Sequence, residues 1–227
     1  VEEKVLSADV IGSITRFHPD ITISFNALLP IAENRFLWDA LEIPHWSILL
    51  DPALYSLQMT HSPYSILSCV DKDDSAMLQA SGFDRAFFFP HAVEKELIDT
   101  GDKNKDLDVV FLGSCYDYES LRVSWRQQNP ETVNKVLDDA IDIVFSDKRT
   151  SLAEALSCSW GASGLPPQGV DFASLFYYLD NYTRGRDRVE LIRSVKNVPV
   201  HVYGSLSEDN AVGILGWSPY LAASKNV

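Results

Sequence analysis

The sequence is short of cysteine, of basic charge and of long apolar runs. Its three cysteines, Cys69, Cys115 and Cys158, are odd in number and far apart. That argues against a disulfide framework or a zinc knuckle and fits a reducing compartment. Lys and Arg number 19 against 32 Asp and Glu, giving a formal net charge of -13. Such a surface repels nucleic-acid phosphates and anionic lipid heads, so neither is an expected partner. No apolar run approaches the roughly 20 residues that a membrane helix needs. The acidic start Val1-Glu2-Glu3-Lys4 is no secretory signal. These absences predict a soluble, cytoplasmic protein with no membrane span. The first residue is not Met, which reads as a piece of a longer or processed protein. Neither Gly-x-Gly-x-x-Gly nor a glycine-rich loop closed by Gly-Lys-Ser/Thr is present. The Gly-x-Ser-x-Gly elbow of hydrolases is missing too.

What is present is a globular composition, with 46% hydrophobic and 22% charged residues over 227 positions. That is enough for one large domain or two small ones with a real core. Val5, Leu6, Val10, Ile11, Ile14 and Phe17 recur at helical spacing, and His18-Pro19-Asp20 closes that helix. Ile21 to Phe25 alternates and reads as a strand ending on Asn26. Asn34 to Leu41 reads as a helix. Trp46 to Leu50, Ile66 to Val70 and Arg85 to Phe89 read as further strands, ending at Asp51, Asp71 and Pro90-His91. Asp73 or Asp74 can cap a helix running to Ala80, with Gly82 as its stop. Short apolar strands separated by helices predict a parallel sheet covered on both faces.

The polar stretch Glu94 to Lys105 is the best boundary, dividing the chain into 1–105 and 106–227. Beyond it, Asp108 to Leu112 is a strand, and Glu119 to Gln128 and Pro130 to Phe145 read as helices, with Pro130 in a first turn. Ser146 to Val170 holds Gly161, Gly164, Pro166, Pro167 and Gly169, which predicts a turn or loop. Asp171 to Asn181 and Arg188 to Lys196 read as helices separated by a basic turn around Gly185. Arg184, Arg186 and Arg188 can hold one small anion or form a solvated charged turn. Pro199 to Tyr203 is the last strand. With two strands, the second half is an incomplete domain carrying a helical insertion.

In open parallel sheets, ligands bind outside the carboxyl ends of the strands. That rule singles out Asn26, Asp51, Asp71, His91, Gly113-Ser114 and Gly204-Ser205. Asp51 can be a general base toward an acceptor hydroxyl, or a turn or helix cap. His91 can exchange a proton near neutrality or donate to a phosphate, or it can be a structural histidine bonded to backbone. Asp71-Lys72-Asp73 can share a divalent cation, but capping is the default for such a pair. Gly113-Ser114 and Gly204-Ser205 let backbone approach a ligand closely, or make ordinary tight turns.

Several of these strings occur together in a known order. Ile43-Pro44-His45-Trp46-Ser47-Ile48-Leu49-Leu50-Asp51-Pro52 resembles the strand and turn of CgeB-like glycosyltransferases, the group named for a spore maturation protein. Cys69-Val70-Asp71-Lys72-Asp73-Asp74 with Ser81-Gly82-Phe83 resembles the next unit. Phe88-Phe89-Pro90-His91-Ala92 and Asp108-Val109-Val110-Phe111-Leu112-Gly113-Ser114 continue the order. Arg188, Leu191, Ile192 and Val200-His201-Val202-Tyr203-Gly204 complete it.

The resemblance implies a GT-B arrangement of two Rossmann-like domains, an acceptor-side one and a donor-side one, with the active site in the cleft between them. It implies transfer of a sugar from a nucleotide-sugar donor to a hydroxyl acceptor, with no cofactor and no metal, because dipoles and basic side chains stabilise the leaving diphosphate. On that reading Asp51 and His91 are the catalytic candidates. Gly113, Ser114, Arg122, Arg188 and Gly204 are the candidates for holding the donor, with Arg122 or Arg188 neutralising the diphosphate. Part of the donor site and an upstream first strand would lie outside this chain. The alternative is a non-catalytic α/β ligand-binding or interaction domain that keeps the fold without the chemistry.

Overall fold

The computed structural model describes residues 8–26, 30–31, 35–95, 107–147, 149–166 and 171–204. Val1 to Leu6, Asn34, Lys105, Pro167, Gly169, Val170 and Ser205 lie outside the described residues. The chain divides into two compact units, Val1–Asp99 and Thr100–Val227, and the division falls inside the polar stretch noted in the sequence.

Unit 1 runs α1 (Ala8–Phe17), β1 (Thr22–Phe25), α2 (Leu37–Leu41), β2 (His45–Leu49), a 3₁₀ helix (Ala53–His61), β3 (Ser65–Cys69), α3 (Lys72–Ala80) and β4 (Ala86–Phe88). The strands form one parallel, Rossmann-like sheet in the order β1-β2-β3-β4, with Phe25 paired to Ile48, Ile48 to Ser68 and Ser68 to Phe87. α2 is shorter than the pattern suggests because Phe36 is extended, its N–H donating to Asp39 Oδ2 at 2.7 Å. The cap of α3 is Asp71, whose carboxylate accepts from Asp73 N at 2.8 Å, rather than Asp73 or Asp74. Asp74 instead accepts from Ala53 N at 2.9 Å, tying α3 to the 3₁₀ helix.

The strand order explains where the core sits. Each crossover moves to the next strand in the same direction, and right-handed crossovers then put every connecting helix on one face. On that face Leu49, Leu67, Cys69 and Ala86 meet Phe36 and Trp38, Ala53 and Met59 of the 3₁₀ helix, and Leu78 of α3. The opposite face presents the alternate residues. Ile23 and Phe25 are 56% and 69% exposed, and Phe87 and Phe89 are exposed as well. Trp46 lies among them, 5.9 Å from the Phe87 ring and 5.5 Å from Phe89, with its indole N–H on Ser68 Oγ at 2.9 Å. Among the described residues, helices pack on one face of this sheet, where the pattern predicts cover on both.

Unit 2 runs β5 (Val109–Leu112), α4 (Tyr118–Gln128), α5 (Glu131–Ser146), α6 (Leu152–Ser163), α7 (Phe172–Ser194) and β6 (Val200–Tyr203). β5 and β6 pair in parallel, Val109 with Val200 through Leu112 with Tyr203, so four helices fill one crossover. Pro130 precedes α5 as its N-cap instead of standing in the first turn. α6 occupies part of the segment read as loop. Ser151 Oγ accepts from Glu154 N at its start and Gly164, at φ 68°, ends it. α7 is one continuous helix through Gly185, where a turn was expected. A Cβ on Gly185 would stand 3.1 Å from the Tyr116 carbonyl oxygen and from Tyr118 Cβ. The missing side chain lets the loop after β5 press against α7, which offsets glycine's poor helix propensity. Trp125, Tyr182 and Leu179 are fully buried between these helices.

Candidate functional site

In unit 1 the polar residues follow the carboxyl ends of adjacent strands, and the first two are joined. Asn26, at φ 56°, accepts from Leu50 N at 2.8 Å and from Asp51 N at 3.3 Å through Oδ1, and donates from Nδ2 to Asp51 Oδ2 at 3.1 Å. One side chain therefore fixes both the turn after β2 and the carboxylate of the exposed Asp51, whose other oxygen accepts no hydrogen bond among the described residues. Asp71 is engaged at the α3 N-terminus, so the Asp71-Lys72-Asp73 string serves as a cap. Lys72 Nζ lies 5.2 Å above the Phe88 ring. His91 follows β4 and is exposed. Asp51 and His91 leave strands separated by β3, which sets them roughly 10 Å apart at strand level. The structure brings Asp51 together with Asn26, not with His91.

In unit 2 four of the five donor-side candidates converge. Gly113 N donates to Tyr203 O at 2.9 Å, and Gly204 packs its Cα against the Gly113 carbonyl and Ser114 N. Gly113 and Gly204 have φ of 149° and 153°, a region that favours glycine. Arg188 on α7 donates to Ser114 O at 2.6 Å, with its guanidinium 5.4 Å from the Tyr116 ring centre. This leaves other guanidinium N–H groups beside two close backbone turns.

Arg122 is engaged elsewhere. It donates twice to Asp138 of α5, from Nε at 3.2 Å and a terminal nitrogen at 2.7 Å, and Arg126 shares the same carboxylate. Burial pulls the Arg122 pKa down, but the hydrogen bonds and charge of Asp138 outweigh it and leave the pKa raised.

Two residues near this site were not singled out from the sequence. Tyr116 supports Arg188, and Asp117 caps α4, accepting from Ser120 N at 3.1 Å and Ser120 Oγ at 2.8 Å. The Asp117-x-x-Ser120 spacing was the available signal. A carboxylate already sits where α4 would otherwise attract a phosphate. The two buried cysteines, Cys69 and Cys115, are poor nucleophiles. Burial first, then Asp74 and Asp71, push the Cys69 thiol up to about 12, and burial raises Cys115 against the opposing pull of Arg188. Both are packed core residues.

Among the described residues no group of three or more His, Cys, Asp or Glu is arranged to hold a metal ion. Among them, no helix is long and apolar enough to cross a membrane. No protein-family model, curated protein or solved structure matches the chain.

Proposed function

We propose that the chain is part of a cytoplasmic glycosyltransferase of the GT-B kind, taking a nucleotide-sugar donor and a hydroxyl acceptor. The observation that carries this reading is the meeting of Gly113, Ser114, Gly204 and Arg188 at the carboxyl ends of β5 and β6. Close backbone turns with a fixed guanidinium suit a diphosphate, in the position where open parallel sheets take ligands. In unit 1, Asp51 is held by Asn26 with one carboxylate oxygen available. In the proposed reaction that oxygen takes the acceptor's hydroxyl proton as the acceptor oxygen attacks the anomeric carbon. The bond from that carbon to the diphosphate breaks, and its electron pair leaves with the diphosphate, whose charge Arg188 offsets. His91 is the second proton-exchanging candidate in the same unit.

Isothermal titration with nucleoside diphosphates and nucleotide sugars tests the donor half. Binding that falls about tenfold or more in Arg188→Gln is expected, as for a lost charge-assisted hydrogen bond. Absence of binding across a panel of uridine, guanosine, adenosine and thymidine diphosphates would count against it.

A second reading, a non-catalytic α/β ligand-binding domain, is favoured by one specific feature. The α4 N-terminus next to the site is filled by Asp117, and Arg122 is committed to Asp138. Under this reading nucleotide binding persists without transfer, and Asp51→Asn and His91→Ala leave binding unchanged.

A further inference from the structure

Unit 2 contains a cavity of about 310 Å3 that shares none of the residues at the carboxyl ends of β5 and β6. One wall is apolar and comes from Val144 and Phe145 at the end of α5 and Leu152 at the start of α6. These side chains are half-buried, so they present apolar surface to the cavity. The guanidinium of Arg186 packs 4.0 Å above the Phe145 ring and holds that wall in place.

The facing wall is charged and comes from Arg184 and Asp187 of α7. Two opposite charges three residues apart on a helix ordinarily pair. Here they do not, because Arg184 turns one helical turn back and donates from Nε to the buried Asp180 at 2.7 Å. Among the described residues its terminal amino groups have no acceptor, and Asp187 accepts no hydrogen bond and makes no ion pair. The Arg184 fork is thus preorganised by a buried carboxylate, and a separate anionic group stands beside it. Thr150 and Thr183 complete the lining, and paired donors, one carboxylate and an apolar wall suit a small zwitterion. It carries a carboxylate, an ammonium and an apolar substituent on a short frame.

We propose that this cavity binds a free α-amino acid with an apolar side chain. The ligand's carboxylate sits on the terminal amino groups of Arg184 and its ammonium on Asp187. Its side chain lies against Val144, Phe145 and Leu152. The volume stands at the lower end of the roughly 300–1,000 Å3 usual for small-molecule sites, which suits a ligand the size of leucine or phenylalanine and not a nucleotide sugar. The inference is independent of the reading of the strand ends.

The test is isothermal titration of the whole 227-residue chain with leucine and phenylalanine. Alongside them go 4-methylpentanoate, which lacks the ammonium, and 3-methylbutylamine, which lacks the carboxylate. Asp187→Asn is the informative variant, because Asp187 is exposed and unpaired while loss of Arg184 would break its ion pair with the buried Asp180. The expected result is amino-acid binding in the millimolar range or tighter, with both analogues and Asp187→Asn weaker by about tenfold, the worth of one charged contact. Asp187→Asn should leave 4-methylpentanoate unaffected. Leu152→Trp, checked for retained helix by circular dichroism, should fill the cavity and remove binding. Failure of both amino acids to bind would overturn the proposal. So would equal affinity for the deaminated acid, or affinity that Asp187→Asn does not change.

Discussion

Gly204 leaves no room for a side chain beside Gly113: a Cβ at position 204 would stand 2.5 Å from the Gly113 carbonyl carbon and 3.1 Å from Ser114 N. The two glycines are far apart in sequence and meet because β5 and β6 pair across four helices. Gly204→Ala therefore has to separate the two turns as well as adopt a backbone conformation that L residues avoid. A loss of about 2–4 kcal/mol is expected from strain and overpacking together. Gly113→Ala meets only the Phe111 ring, at 3.5 Å, and bears the backbone strain alone. Chemical denaturation of both variants should place Gly204→Ala clearly lower. Equal losses would mean that the close approach contributes nothing.

A second prediction concerns His45, which is buried with its ring stacked on Trp38 at 3.9 Å between centroids. Its Nδ1 lies 2.8 Å from Thr22 Oγ1 and its Nε2 3.0 Å from Ser24 Oγ. A neutral imidazole serves both hydroxyls, and burial lowers its pKa from 6.5 to about 4. Between those values the unfolded chain binds a proton that the folded chain does not. Stability from this group is therefore complete above pH 6.5 and falls as pH drops, by about 3 kcal/mol at pH 4. His45→Phe keeps the stack and removes the titrating group. It should be less stable at pH 7, because Thr22 and Ser24 each lose a hydrogen bond and keep only a longer one to backbone, yet show a shallower decline in urea midpoint between pH 6.5 and 4. A decline as steep as that of the parent would assign the acid sensitivity to other groups.

The parallel strands of unit 1 were legible because each apolar run ends on a polar or proline turn, as at Asp51-Pro52 and Pro90-His91. The face on which the helices lie was not, since it follows from strand order and crossover hand, which no local pattern records. α6 was hidden by the glycines and prolines around it, although Ser151-x-x-Glu154 spells a helix start. Gly185 looked like a turn because glycine weakens helices in isolation. Its reason is a contact with Tyr116, a residue distant in sequence. At the site, strand ends named the candidates, but the pairing of Arg122 with Asp138 depends on how α4 lies on α5. The clasp of Asn26 on Asp51 likewise needs β1 and β2 to be neighbours.

The one-sided core of unit 1 gives a third prediction. Ile23 and Phe25 point away from the packed face and stay largely exposed, whereas Leu67 is fully buried among α2, α3 and the 3₁₀ helix. Ile23→Thr and Phe25→Thr should each change stability by no more than about 0.5 kcal/mol, as for ordinary surface positions. Leu67→Ala should cost about 2–5 kcal/mol, the range for a core leucine that leaves a cavity. Losses near 2 kcal/mol at Ile23 and Phe25 would show that this face is covered in solution.

The fourth prediction separates what Asn26 does through its backbone from what it does through its side chain. The φ of 56° suits glycine or asparagine and disfavours alanine by about 1–2 kcal/mol. Its amide also makes three hydrogen bonds, to Leu50 N, Asp51 N and Asp51 Oδ2. Asn26→Gly keeps the backbone free and deletes the clasp, so its loss, about 1–2 kcal/mol for partly exposed bonds, measures the side chain. Asn26→Ala adds the backbone cost, and the difference between the two measures the strain. Denaturation midpoints decide the stability part: equal losses would mean that the left-handed turn imposes no cost. If the proposed transfer is measurable, Asn26→Gly should also slow it while leaving nucleotide binding in unit 2 unchanged, because it frees the Asp51 carboxylate without touching Arg188. An unchanged rate would remove Asp51 from the reaction or show that its position does not depend on Asn26, and Asp51→Asn distinguishes those two outcomes.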